Sequence, residues 1–172
     1  VRVPKRNLIG HPGEGWTVGK RLLRYERTSI GGVGGARQKI ASLDETAKQY
    51  IGQKGERIAD ANLRIEVTGF NMDQRAYQLT MKRAAEEATN NKAPTFMSSL
   101  FKLYGTEQNI RRNDMVVSMM GSQGLGWSGM SFEPHERGQT RGWLRSKANS
   151  IEGGSSEVMR NIIAKRVLGL PD

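Results

Sequence analysis

Two long stretches of this chain repeat apolar residues at steps of three and four, and that period commits much of its length to amphipathic helices packed on one another. Leu63, Val67, Phe70, Tyr77, Met81, Ala84 and Ala88 recur at threes, fours and one sevenfold step, with Arg75, Lys82, Arg83, Glu86 and Glu87 mostly opposite. A strand would alternate with period two, so this spacing predicts a helix from about residue 59 to 90. Asn90-Asn91-Lys92-Ala93-Pro94 ends it, and the proline suits the first turn of the next helix. Met97, Leu100, Leu103, Ile110 and Val117 carry that helix to Met120. Methionine at helical spacing is more often a core filler than a cofactor-binding surface.

Upstream, a helix is predicted from near Thr17, with Leu22, Leu23, Ile30, Val33, Ile40 and Leu43 along one stripe. Glu26 falls in that stripe, at i+4 from Leu22. A carboxylate held among apolar neighbours loses hydration and becomes a better proton acceptor, as a base for a carbon acid must be. The other reading leaves Glu26 at the stripe's edge, paired with Arg27 or a neighbouring helix, and spacing alone does not choose between them. Gly31-Gly32-Val33-Gly34-Gly35 interrupts the pattern, each glycine costing about 1 kcal/mol relative to alanine, which close approach by a helix or ligand would explain. It is no dinucleotide fingerprint, because no strand precedes it and Arg37 stands where the last glycine belongs.

The remaining segments are shorter. Val1-Arg2-Val3 alternates and is cut by Pro4, so it reads as the tail of a strand, and Asn7 to Trp16 reads as loop. Gly52 to Glu56 is a polar break. Gly121 to Gly138 is a Gly-rich connection whose length predicts disorder or partner contacts. A short helix is expected around Thr140 to Ala148, then a last helix after Glu157 with Val158, Ile162 and Val167 inward and Gly169 and Pro171 as its stop. Four substantial amphipathic helices with short breaks predict an all-α, antiparallel four-helix bundle with a short extended amino-terminal segment.

Composition narrows the chemistry. The 172 residues include no cysteine, which removes disulfides, thiolate metal sites and a cysteine nucleophile, and the two histidines, His11 and His135, have no metal-ligand spacing. No metal site is expected. Apolar runs are too short to span a membrane and no signal-peptide order opens the chain, so a soluble, cytoplasmic protein is expected. The net charge of +10 raises nucleic acid, but the basic residues are scattered and not interleaved with aromatics, so no nucleic-acid partner is expected.

A second candidate site is Gly153-Gly154-Ser155-Ser156-Glu157. Glycines admit close backbone approach, Ser155 can cap, and the free N–H groups of a helix start favour an anion; equally, a Gly-Ser helix start is simply a good cap.

Taken together, Val1 to Gly10, Gly13-Glu14-Gly15-Trp16-Thr17-Val18, Glu26-Arg27-Thr28 and the run from Asn149-Ser150-Ile151-Glu152-Gly153-Gly154-Ser155-Ser156-Glu157 through Val158-Met159-Arg160 to Pro171 resemble the carboxyl-terminal half of an acyl-CoA dehydrogenase. The resemblance covers essentially the whole chain. It implies that residues 1–14 end a middle β domain and that residues 15–172 form the carboxyl-terminal bundle. It implies FAD as cofactor and an acyl-CoA substrate, whose α proton passes to a glutamate and β hydride to the flavin. As partners it implies electron-transfer flavoprotein and either a homo-oligomer or a chain supplying the missing domains. Many members carry the glutamate at the position matched here by Gly153, after an aromatic matched by Glu152. Isovaleryl-type and long-chain-type branches carry it in the first bundle helix, at the position matched by Glu26. The resemblance thus selects Glu26 as base, with Glu152 as the alternative, Tyr25 and Arg27 near the substrate, and Gly153, Gly154, Ser155 and Glu157 at the flavin and thioester. Gly121-Ser122-Gln123-Gly124 partly matches the family's flavin loop, and its R-x-x-F-G segment has no counterpart between Leu43 and Leu63. Faces meant for another domain should stay apolar and exposed, so self-association is expected.

Overall fold

A computed structural model of the chain describes residues 2–30, 41–89 and 97–171, the side chains of residues 24, 27–30 and 89 excepted. Among these, six helices succeed one another: α1 (Gly15–Ile30), α2 (Leu43–Tyr50), α3 (Ala61–Thr89), α4 (Met97–Met120), α5 (Pro134–Ser146) and α6 (Ser156–Arg166). A minimal antiparallel hairpin, β1 (Gln53–Lys54) with β2 (Arg57–Ile58), joins α2 to α3. The all-α bundle expected from the periodicity is the architecture observed.

α4 is its axis, with α1, α2, α3, α5 and α6 all packed on it. A helix surrounded on several sides buries residues around its circumference rather than along one stripe. Phe101, Lys102, Thr106, Asn113, Val116, Met119 and Met120 are accordingly all buried. The main core lies toward its carboxyl end, where Val116, Met119 and Met120 meet Leu43 and Ala47 of α2, Ile58 of β2, and Val67 and Phe70 of α3.

Local signals place the helix ends. Ser42 Oγ accepts the Glu45 N–H at 3.1 Å while the Glu45 carboxylate accepts the Ser42 N–H at 2.9 Å, a reciprocal capping box. That box starts α2, so Leu43 opens its own helix instead of continuing the stripe of α1. The intervening Val33, Ile40 and glycine run lie outside the described residues, as does Asn90 to Pro94. Asp60 Oδ1 accepts the Leu63 N–H at 2.7 Å and starts α3.

Two other expectations are corrected. The connection after α4 is ordered and shorter than its glycines suggest. A 3-10 turn spans Gly121–Leu125, and α5 begins at Pro134, where the Glu136 carboxylate accepts the Glu133 N–H at 2.9 Å. Thr140 donates to the Gly124 carbonyl at 3.0 Å and Arg141 to that of Trp127 at 2.9 Å. Gly126 lies so close to the Phe132 ring that a Cβ there would come within 2.5 Å of it. In α6 the inward face is turned from the expected one: Met159 is fully buried and Ser156 nearly so, while Val158 and Val167 are 48% and 38% exposed. One residue rotates a helix face by about 100°, enough to exchange an inward for an outward side chain.

Candidate active site

The segment before α6 is built from the backbone outward. After a 3-10 turn at Lys147–Ser150, the chain bends at Gly153 and Gly154, whose φ values of 67° and 108° lie in the left-handed region where only glycine is unstrained. Ser155 returns to extended geometry, and its Oγ accepts the Val158 N–H at 3.3 Å as the cap of α6. Exposed Glu157 stands in the first turn. Its own backbone N–H, then the Ser155 hydroxyl, hold its carboxyl below the usual carboxylate range. Ser156, 5% exposed, keeps a buried Oγ with no hydrogen-bond partner among the described residues.

Glu152, beside this bend, is held by charge and by amides. Arg145 of α5 reaches its carboxylate at 2.8 Å, and Asn149 donates to its other oxygen. Arg145 is the main reason its carboxyl lies below the ordinary range. Burial opposes that, and Asn149 with the charges of Arg145 and Lys102 reinforces it. A carboxylate so stabilised is a poorer proton acceptor than a free one.

Behind the bend, α4 presents Lys102, Thr106, Asn109 and Asn113 at i, i+4, i+7 and i+11, a polar stripe on one helical face. Lys102 is wholly buried, and its charge reaches both Glu152 and Glu157. Asn109 donates to Asn149 at 2.8 Å, Asn113 to the Asn109 carbonyl at 2.8 Å, and Gln139 of α5 to Asn113 at 2.9 Å. Sequence reasoning passed over these residues because lysine and asparagine are ordinarily solvated. Their i, i+4, i+7 spacing was the available signal.

Glu26 is placed differently from expectation. It lies on an exposed face of α1, where Leu22 is 67%, Leu23 40% and Tyr25 75% exposed. The half-buried residues near the start of α1, Val18 and Gly19, lie one turn before Leu22 and Leu23 on that same face, so the cover is at the start of the helix and does not extend to Glu26. The apolar stripe thus exists and is half-buried only at its start; the described residues leave its continuation through Leu22, Leu23 and Glu26 exposed. The Arg27 side chain lies outside the described residues. A groove at the amino terminus, lined by Val3, Pro4, Lys5, Asn7, Leu8, Ile9 and Pro12, includes none of these site residues. Among the described residues no cluster of metal-ligating side chains occurs, and no helix is long and apolar enough to cross a membrane.

Residues 13–168 match the family model for the acyl-CoA dehydrogenase C-terminal domain. The chain is 30% identical over 170 residues to the acyl-CoA dehydrogenase IpdE1 of Mycolicibacterium smegmatis, covering 95% of this chain and 39% of that protein. It is 27% identical over 175 residues to the mouse mitochondrial short-chain specific acyl-CoA dehydrogenase, covering 97% and 39%. Among solved structures it is similar to the Tcur3481-Tcur3483 steroid ACAD, with TM-score 0.78 at 22% identity over 100% of this chain and 44% of the other. The ChsE4-ChsE5 complex of Mycobacterium tuberculosis gives TM-score 0.70 at 21% identity over 99% and 44%. The chain spans about two fifths of the length of these curated relatives. With the bundle, the capped Gly-Gly-Ser-Ser-Glu bend and a family match over nearly all of its length, this chain belongs to the acyl-CoA dehydrogenase family and corresponds to its carboxyl-terminal domain.

Proposed function

We propose that this chain is the bundle half of a flavin-dependent acyl-CoA dehydrogenase that removes the α and β hydrogens of an acyl-CoA thioester, with Glu26 as the base. The observation that carries the choice of base is the state of the two candidates. Glu152 is committed to Arg145 and Asn149, and Gly153 supplies no side chain where many relatives carry a glutamate. Glu26 is exposed, has no partner among the described residues, and sits on a face whose apolar residues Leu22 and Leu23 are exposed too. A carboxylate gains basicity when such a face is closed over it. In this reading residues 1–14 are the end of the preceding domain, and Tyr25 and Arg27 line the substrate.

The residues present fit a flavin in part. Gly153 and Gly154 offer Cβ-free backbone, and two buried polar atoms, Ser156 Oγ and Gln123 Oε1, lack partners among the described residues. These stand in the two segments that the resemblance assigns to the flavin, and Ser155, Ser156, Glu157 and Gln123 are the residues that would hold it. When bound, FAD supplies a hydride acceptor. This chain's own part is to orient the thioester end at the bend and to receive the α proton on the Glu26 carboxylate. Electron-transfer flavoprotein is the proposed acceptor of the electrons.

Glu26→Gln, in the chain joined to or reconstituted with its amino-terminal domains, is expected to lower turnover about 10²–10⁴-fold, the range general-base catalysis supplies. Undiminished turnover would remove Glu26 as base.

A second reading, a non-catalytic subunit that offers only an association surface, is favoured by the exposed stripe on α3. Ile65, Met72 and Leu79, spaced seven residues apart, are 71%, 69% and 50% exposed. Flavin absorbance separates the two readings: a preparation that stays colourless with added FAD supports the second.

A further inference from the structure

We propose that Glu152 is the hub of a latch, with Arg145, Asn149 and Asn109 as its other members, that fixes the Gly153–Gly154 bend in the shape from which α6 starts. The latch rests on the reading of that bend as the place where flavin and thioester meet, and it makes these residues positioning residues rather than catalytic ones.

The bend needs such a device. Two successive glycines in left-handed geometry impose no conformation of their own, since glycine populates both signs of φ about equally. Ser155 fixes only the helical side of the bend, by capping Val158. The side that precedes it is held by the Ile151 and Glu152 N–H groups, which donate to the Ala148 carbonyl at 2.9 and 3.0 Å, and through the side chain of Glu152, the last residue before the glycines that has one. That side chain is held from two elements at once: Arg145 from α5 at 2.8 Å and Asn149 from the 3-10 turn. The Asn149 amide is not free to swing, because its oxygen accepts from Asn109 at 2.8 Å. The Asn109 side chain is in turn held by Asn113, 9% exposed, which donates to its Oδ1 at 3.3 Å and which Gln139 orients at 2.9 Å. The carboxylate is therefore positioned through a chain of side-chain amides anchored in the bundle.

The test uses the chain as it is, by hydrogen exchange of amides 151–160 alongside global unfolding. In Arg145→Met the latch predicts at least about tenfold faster exchange confined to that segment, with global stability little changed. Asn109→Leu and Glu152→Ala should loosen the same segment and spare α3. Unchanged exchange at 151–160 in all three variants, or faster exchange spread evenly over α3, α4 and α6, would overturn the latch. In the assembled enzyme, Glu152→Gln should raise KM for acyl-CoA more than it lowers kcat. Loss of kcat with unaltered exchange would instead make Glu152 the base, which sinks both the latch and the assignment to Glu26. A working latch with full turnover in Glu26→Gln would sink the second alone.

Discussion

The start of α6 and the outer face of α1 are opposite kinds of surface. At the bend before α6, most polar groups other than the Ser156 hydroxyl are answered from within: Glu152 by Arg145 and Asn149, Ser155 by Val158, Asn149 by Asn109. On α1, Leu22, Tyr25 and Trp16 are each at least two-thirds exposed, and no described element buries them. Polar groups that are partnered internally can hold a geometry alone. Apolar groups left in water mark a surface whose partner lies elsewhere. The bend is therefore held by described residues of this chain, whereas under the proposed function the environment of Glu26 would come from a cover that the described residues do not supply.

The largest effect that can break this contrast is the one on Glu26. If its basicity comes from a cover, Glu26→Gln should cost turnover about 10²–10⁴-fold in the assembled enzyme. In the chain alone it should change stability by less than about 0.5 kcal/mol, as an exposed substitution does. A large stability loss in the isolated chain, by denaturant titration, would mean that the residue is answered internally after all.

Next in size is the test of how α6 sits. Met159→Ala empties a fully buried position and should cost about 2–5 kcal/mol, whereas Val158→Ala, at a half-exposed position, should cost well under that. Equal losses would restore the inward face that the pattern of Val158, Ile162 and Val167 suggested.

How much the sequence disclosed depends on how local each signal is. Helical period, the Ser42-x-x-Glu45 box and the glycine-serine start of α6 involve residues within one or two turns of each other, so the bundle and the last bend were legible. The box was readable yet overlooked, because Leu43 also fits the stripe that runs from Leu22 onward. Which side of a helix faces inward depends on neighbours far along the chain, and apolar spacing in α1 and α6 could not say what would cover it. The polar stripe of α4 was hidden for a related reason. Lys102 is wholly buried and Asn109 meets a partner 40 residues away, whereas composition rules put such residues in water.

Alkaline pH probes the interior of the bundle on its own. Burial pushes the Tyr77 phenol up to about 12, and the Tyr50 phenol is also pushed to about 12, by burial first and then by its hydrogen bond to Glu136. Tyr77 donates to the Phe101 carbonyl at 3.0 Å and Tyr50 to Glu136 at 3.0 Å, contacts that only the protonated phenol can make. A raised folded-state value means that folding favours the protonated form. The contribution is complete below about pH 10, the unfolded value, and is lost as pH rises from 10 through about 12. Unfolding free energy should therefore decline across that window, and Tyr77→Phe should flatten the decline. A slope left unaltered by Tyr77→Phe would show that this phenol is not sequestered.

The smallest effect sharpens the contrast best, because it compares two caps of the same chemistry. Ser42 begins α2 with a two-way box, its Oγ 3.1 Å from the Glu45 nitrogen and the return bond at 2.9 Å. Ser155 begins α6 with a single bond of 3.3 Å. Losing a serine cap costs about 0.5–2 kcal/mol. Ser42→Ala should fall in the middle of that range and Ser155→Ala at its lower end, by denaturant unfolding. The latch gives the reason for the second value: with Glu152 still held by Arg145 and Asn149, the bend keeps its shape when the cap is gone. A Ser155→Ala loss exceeding that of Ser42→Ala would place the hold on the bend in the cap itself, and the internal self-sufficiency of that region would then rest on one hydroxyl.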